Sequence, residues 1–286
     1  MAEDPPPLVS TDWVERHHRH PEVVVAEVDE DTWAYRERGH VPGAVPLHWR
    51  DELRHRERLA PVAAADFAAL MDRKGIRRDD HVVVYGGSNN WFAAYGYWVL
   101  RLHRHPRVSL MDGGRLAWEQ EQRPLERGPG AREPTHGYPV PTSRPALHVD
   151  RDEVLARFVA APEGTALVDV RTPAEFRGEL TAPPHLPEES AQVAGHIPGA
   201  VNIPWEEAID PDTGRFHDRE HLARRYADDG ATPDREIVTY CRIGERSAHT
   251  WFVLHELLGY PTVRNYDGSW AEYGSLVDVP IARGPG

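Results

Sequence analysis

Short runs of β-branched and aliphatic residues alternate along this chain with longer stretches whose apolar side chains recur every three or four positions. The runs are Val23-Val24-Val25-Ala26, His81-Val82-Val83-Val84-Tyr85, Ala166-Leu167-Val168 and Glu236-Ile237-Val238-Thr239-Tyr240. Such continuous apolar runs predict strands buried on both faces. Helical spacing occupies Ala63–Arg73 and Asp218–Asp228, where Leu222 and Tyr226 stand four apart. A third helix is predicted from about Ser247, with positions 251, 254, 255 and 258 on one face and Gly259 closing it. Strands alternating with helices define an α/β chain with mostly parallel sheets flanked by helices. The uncharged stretch Val82–Leu100 is long enough to span a bilayer. Its central Gly86-Gly87-Ser88-Asn89-Asn90 predicts a strand, a turn and a helix instead.

The pattern repeats once. Gly39-His40-Val41-Pro42-Gly43-Ala44-Val45 returns as Gly195-His196-Ile197-Pro198-Gly199-Ala200-Val201, His81–Tyr85 as Glu236–Tyr240, and Asp112-Gly113-Gly114 as Asp267-Gly268-Ser269. The offsets are 156, 155 and 155 residues, so the halves are colinear copies. A period this long means duplicated domains rather than a solenoid. Arg123–Pro145 is rich in proline and lacks apolar periodicity, as a linker would. The expected organisation is therefore a domain over 1–125, a linker over 126–146 and a second domain over 147–286. The second copy carries an insertion rich in Pro and Glu, from about Gly178 to Val193.

Charge narrows the partners. The 286 residues hold 33 Lys and Arg against 46 Asp and Glu, a net −13, which disfavours nucleic acid and anionic membranes. The opening Met1-Ala2-Glu3-Asp4-Pro5-Pro6-Pro7 lacks the basic and apolar segments of a secretory signal, so a soluble, cytoplasmic protein is expected. Seventeen histidines include His17-His18-Arg19-His20 and His103-Arg104-His105. Without further spaced ligands these read as solvated surface, and no metal site is expected.

The one cysteine, Cys241, directly follows the strand at Ile237–Tyr240. It cannot form an internal disulfide, and a buried small hydrophobe is the plain reading of a lone thiol. Its neighbours argue otherwise. Cys241-Arg242-Ile243-Gly244-Glu245-Arg246 forms a loop entering a helix, at the strand end where open α/β sheets bind ligands. Turning backbone amides, a helix N-terminus and two arginines favour a thiolate, so a depressed pKa at Cys241 is expected. Glu245 opposes this unless it points outward or pairs with an arginine. The first copy has Gly86–Trp91 at this place, with neither cysteine nor arginine. The cysteine and arginines are thus not simply what the turn needs to fold, and the first copy reads as non-catalytic.

The paired Gly-His-[Val/Ile]-Pro-Gly-Ala segments, the loop Cys241–Arg246 and Val263–Tyr273 together resemble the two-domain rhodanese family of thiosulfate sulfurtransferases. The Cys-Arg-Ile-Gly-Glu-Arg-Ser loop is similar to the actinobacterial type. The resemblance implies an inactive first and a catalytic second rhodanese-like domain. It also implies double displacement: Cys241 takes the outer sulfur of thiosulfate as a persulfide, then passes it to a thiophilic acceptor such as cyanide. Arg246 and Arg242, with Ile243, Gly244 and Glu245, would bind substrate, and no metal or organic cofactor is needed. Donor and acceptor are small molecules, and the acidic surface suggests a thioredoxin-like or sulfur-assimilation partner.

Four alternatives bear on this reading. 3-Mercaptopyruvate is the rival donor, although loops of that type usually carry small neutral residues where this one has Arg242 and Glu245. A phosphatase of the related fold would need five residues between cysteine and arginine, and only four lie between Cys241 and Arg246. A non-enzymatic sulfur carrier is the third alternative, and a binding scaffold the fourth. Among supporting residues, Asp169 and Arg171 either brace the loop or form a structural salt bridge. Some relatives bind substrate through an arginine near the position of Glu175. His196 reads as part of a structural turn. Trp33 and Trp205 read as core residues, or as walls of an apolar pocket.

Overall fold

The computed structural model describes residues 5–55, 60–130, 132–142, 144–181 and 191–285. The chain divides into two compact units, Met1–Arg144 with Asp210–Phe216, and Pro145–Ile209 with His217–Gly286. Most of the expected insertion at Gly178–Val193, residues 182–190, lies outside the described residues.

The first unit runs β1 (Leu8–Val9), α1 (Thr11–His17), β2 (Val23–Asp29), α2 (Trp33–Glu37), β3 (Val45–His48), α3 (Trp49–Glu52), α4 (Ala64–Arg73), β4 (His81–Tyr85), α5 (Trp91–Leu102), β5 (Arg107–Met111) and α6 (Gly114–Gln120). Its five strands are ordered β1-β5-β4-β2-β3 and pair in parallel throughout. In the second unit follow α7 (Arg151–Glu153), β6 (Thr165–Asp169), α8 (Pro173–Phe176), β7 (Ala200–Asn202), α9 (Arg219–Asp228), β8 (Glu236–Tyr240), α10 (Glu245–Trp251), β9 (Val263–Tyr266) and α11 (Ser269–Tyr273). Here the order is β7-β6-β8-β9, again all parallel. A parallel bridge from His148 to Asn265 stands where β1 stands in the first unit. The two halves are the tandem α/β copies that the pattern predicts. No helix among the described residues is long and apolar enough to cross a membrane.

Sequence sets these elements locally. β4 is buried along its whole length, as its unbroken valines require. Asp218 caps α9 by accepting from His221 N–H, and Thr172 with Glu175 forms a capping box on α8. The repeated Gly-His turn is structural in both copies. His40 stacks on Tyr35 at 3.7 Å and bonds its carbonyl, while His196 does the same with Phe176 at 3.6 Å.

Two expectations fail. His103 and His105 are buried rather than solvated: His103 stacks on Phe67 and bonds the Val62 carbonyl, while His105 is covered by Tyr138. His105 bonds the Tyr138 hydroxyl at 2.7 Å and the Asp80 carbonyl at 2.9 Å, and burial depresses its pKa to about 4. Trp33 is 63% exposed and belongs to no core, whereas Trp205 is buried and meets His249 edge-on.

The copies solve one packing problem in two ways. At the end of β6, Asp169 is paired with Arg171 at 2.6 Å with both side chains fully buried, and Arg171 also donates to the Gly195 carbonyl. Arg171 lies over Trp270, 4.7 Å from its ring centre. In the first unit Glu27 occupies the register position of Asp169, but Asp29 stands where Arg171 would be. The guanidinium comes instead from Arg115, at the position of Trp270, and it reaches Glu27 at 2.5 Å and the Gly39 carbonyl at 2.8 Å.

The loop after β4 is fastened shut. Ser88, Asn89 and Asn90 have φ of 46°, 51° and 67°. The Asn90 amide accepts from Gly86 N–H and donates to the Met111 carbonyl. Gly86 is pressed against β2: a Cβ there would meet the Val28 carbonyl at 2.3 Å.

Candidate active site

Cys241 leaves the carboxyl end of β8 and enters a four-residue turn. The helix begins at Glu245, two residues before the expected Ser247, because Gly244 at φ +97° caps it and its carbonyl accepts from Ala248 N–H. Glu245 and Arg246 therefore lie in the first turn of α10. Only glycine fits at 244: besides the left-handed φ, a Cβ would meet the Asp267 carbonyl at 2.7 Å. The Val263–Tyr273 segment wraps the turn from behind. Asn265 donates to the Gly244 carbonyl and accepts from Ser247, and the Ser269 hydroxyl accepts from Cys241 N–H at 3.0 Å. Trp270 and Ala271 amides bond the carbonyls of Cys241 and Arg242.

The loop gathers all the residues expected in it. Gly244 N–H donates to Cys241 Sγ at 3.1 Å, and the thiol points at Glu245 Oε2, 3.5 Å away. Ile243 is mostly buried, and both Arg242 and Arg246 are buried with it. Glu245 does not point outward. Its Oε1 lies 3.8 Å from the terminal nitrogen of Arg242 and 3.8 Å from Nε of Arg246. Arg246 spends its two terminal nitrogens on Glu175, each at 3.1 Å. Burial alone would raise the Glu175 carboxyl, but Arg246, Arg171 and the Thr172 hydroxyl together hold it down at about 2. The Asp169–Arg171 pair is a buried structural ion pair. It reaches the site through the field of Arg171 on Glu175.

The expected depression of the thiol is overturned. Cys241 is fully buried, so desolvation pushes its pKa up, and the facing Glu245 carboxylate pushes it further. Arg246 and the bonds from Ser247 act in the opposite direction without prevailing. Sequence shows both the arginines and the glutamate, but not which of them faces sulfur.

Four contributors are not assigned to the loop by the sequence: Glu175, Ser247, Asn265 and Ser269. A strand-end residue in a repeated Asp-Gly-[Gly/Ser] turn was the available signal for Ser269, whose φ of +52° marks a position held by its surroundings.

Breaking the Arg246–Glu175 pair on one side leaves a buried carboxylate uncompensated. Arg246→Ala is therefore expected to unfold more easily than Arg246→Ala with Glu175→Ala, by about 2 kcal/mol in denaturant titrations. A double variant no more stable than the single one would show that the pair does not hold the loop.

These features define a class: tandem parallel α/β units, one of which presents a cysteine in a tight loop at its sheet's carboxyl edge. The rhodanese-like domain model matches residues 10–121 and 151–276, and the chain belongs to that family. It is 50% identical to a protein of Mycobacterium tuberculosis named putative thiosulfate sulfurtransferase, over 97% of this chain and 98% of that one. A Saccharopolyspora erythraea protein of the same name is 52% identical over 96% and 95%. The Thermus thermophilus sulfur carrier protein TtuD is 50% identical over 98% of each. Among solved structures, the anaerobic ergothioneine biosynthesis enzyme of Chlorobium limicola superposes with a TM-score of 0.83 at 23% identity, covering 97% of this chain and 70% of that one. YnjE gives 0.82 at 24%, covering 97% and 68%. These last two show the fold alone. The chain is a sulfurtransferase of the rhodanese type, and the phosphatase alternative falls away.

Proposed function

We propose that this protein moves the outer sulfur of thiosulfate to a thiophilic acceptor through a persulfide on Cys241. The supporting observation is Sγ itself, set at the head of a loop whose Gly244 amide already donates to it at 3.1 Å, facing Glu245, which both Arg242 and Arg246 approach. Attack of Cys241 on the outer sulfur forms one S–S bond as another breaks and sulfite leaves. Cyanide then removes the sulfur and restores the thiol. One hard transfer is split into two easier ones. The loop amides from Arg242 to Arg246 stabilise the persulfide anion, and the two guanidinium groups attract the donor's sulfonate end. The first unit has no cysteine and serves as the non-catalytic copy, with residues 126–146 as the link between the domains.

Arg242 and Glu245 favour thiosulfate over 3-mercaptopyruvate, whose loops are usually neutral at these positions. A second reading hands the persulfide to a protein acceptor, of the thioredoxin-like or sulfur-assimilation kind. The Thermus relative named as a sulfur carrier favours it. Either reading suits a reducing cytoplasm, where a lone thiol stays reduced.

The test is intact mass after brief exposure to thiosulfate or, in parallel, to 3-mercaptopyruvate, followed by cyanide. One added sulfur from thiosulfate, removed by cyanide, is expected. Addition from mercaptopyruvate alone would overturn the donor, and no addition from either would overturn the mechanism.

A further inference from the structure

Persulfide formation has to dispose of a proton, because burial and Glu245 keep Cys241 a thiol at rest. The groups around the sulfur come from several elements. Arg242 belongs to the loop, Glu245 and Arg246 to the first turn of α10, Glu175 to α8 and Ser269 to α11. Asp267, carrying His148 at 2.6 Å, lies behind Gly244, and His249 is turned to Trp205. Of these groups, Glu245 is the carboxylate that the thiol meets, at 3.5 Å. Ser269 Oγ stands at 4.0 Å but is already committed to the Cys241 amide and the Tyr266 carbonyl.

Charge counting points the same way. Two guanidinium groups and two carboxylates around a neutral thiol sum to zero. Losing the thiol proton to solvent would leave a net negative charge where a dianionic donor must approach. Moving it to Glu245 leaves the sum at zero and creates the nucleophile in place, with the Gly244 amide and Arg246 to hold it.

We propose that Glu245 is a catalytic residue, the base that takes the Cys241 proton and the acid that returns it to the leaving group. As the S–H bond breaks, the proton passes to Oε2 and the freed sulfur pair forms an S–S bond to the outer sulfur of thiosulfate. The bond to the sulfonate sulfur breaks, and its electron pair leaves with sulfite. Sulfite takes the proton from Glu245 and departs as hydrogen sulfite, so thiol plus thiosulfate dianion gives persulfide anion plus one monoanion. The return of the proton rests on the thiosulfate reading; the Cys241–Glu245 exchange does not.

Since the chain holds one cysteine, iodoacetamide alkylation followed by mass reports Cys241 alone. A shared proton makes the pair titrate in two macroscopic steps. Wild type is expected to alkylate at a low plateau near neutral pH and to rise again when both groups ionise. Glu245→Gln is expected to show a single step, and Glu245→Asp, which keeps a carboxylate, two. Single-turnover persulfide formation from thiosulfate at about pH 6.5 should fall roughly 100-fold in Glu245→Gln, the lower range for a lost proton-transfer group. The deficit should shrink at high pH, where the thiolate forms unaided. A single step in all three proteins, or a Glu245→Gln protein as fast as wild type at every pH, overturns the proposal. If wild type accepts no sulfur from thiosulfate, the donor reading fails while the alkylation profiles still decide this one.

Discussion

Cys241→Ser protein is expected to take up no sulfur from thiosulfate and to yield no thiocyanate with cyanide, while its unfolding stays within about 1 kcal/mol of wild type. The chemical half of this result follows from the nucleophile. A hydroxyl at this place is a far poorer attacking group, and no second thiol exists to replace it. The structural half follows from the surroundings. Cys241 is fully buried, so an unsatisfied hydroxyl would be costly there. Serine finds partners already in place, because Gly244 N–H points at the side-chain position and the Glu245 carboxylate stands ready to accept. Turnover assays with and without cyanide, beside denaturant unfolding, check both halves. Full activity in this variant would remove Cys241 from the mechanism. Lost activity accompanied by lost fold would make it structural.

Arg115→Ala is expected to cost the first unit about 3–5 kcal/mol, the toll of leaving a buried charge unpaired. Glu27 is almost wholly buried, and burial already raises its carboxyl despite the Arg115 guanidinium and the Tyr85 hydroxyl. Removing Arg115 leaves that carboxylate and the Gly39 carbonyl without their shared donor. Adding Glu27→Gln should restore part of the loss, since a neutral amide has less to lose in a dry site. Denaturant unfolding measures both variants. A single-variant loss below about 1 kcal/mol would show that the pair is dispensable.

Much of this was legible in the chain. The valine runs gave the strands, and the offset of 155 gave the duplication. Cys241 after an apolar run placed it at the carboxyl end of a strand, where the structure has it, directly after β8. The orientation of side chains in the loop was not legible. Whether Glu245 faces sulfur or solvent depends on where α10 starts, after Gly244 at φ +97°, which packs against the Asp267 backbone 23 positions away. The partner of Arg246 was hidden for a similar reason. Glu175 lies 71 residues earlier and reaches the site only because α8 is fixed by its own capping box. The histidine at 105 misled because its cover, Tyr138, comes from a segment with no apolar rhythm to announce it, and that at 103 because its stacking on Phe67 of α4 is a long-range contact.

The glycine at 86 makes the two loops structurally unlike despite their matching positions. It occupies the place of Cys241, yet any side chain there would run into the backbone of the neighbouring strand at 2.3 Å. The backbone after it has settled into three left-handed residues, locked by the Asn90 amide. Placing a thiol in this copy therefore requires β2 to give way at Val28 and residues 88–90 to take another backbone path. A cysteine placed at 86 alone would not reproduce the geometry of the second loop. The two copies share a strand and a turn by position, but their loops are not exchangeable residue for residue.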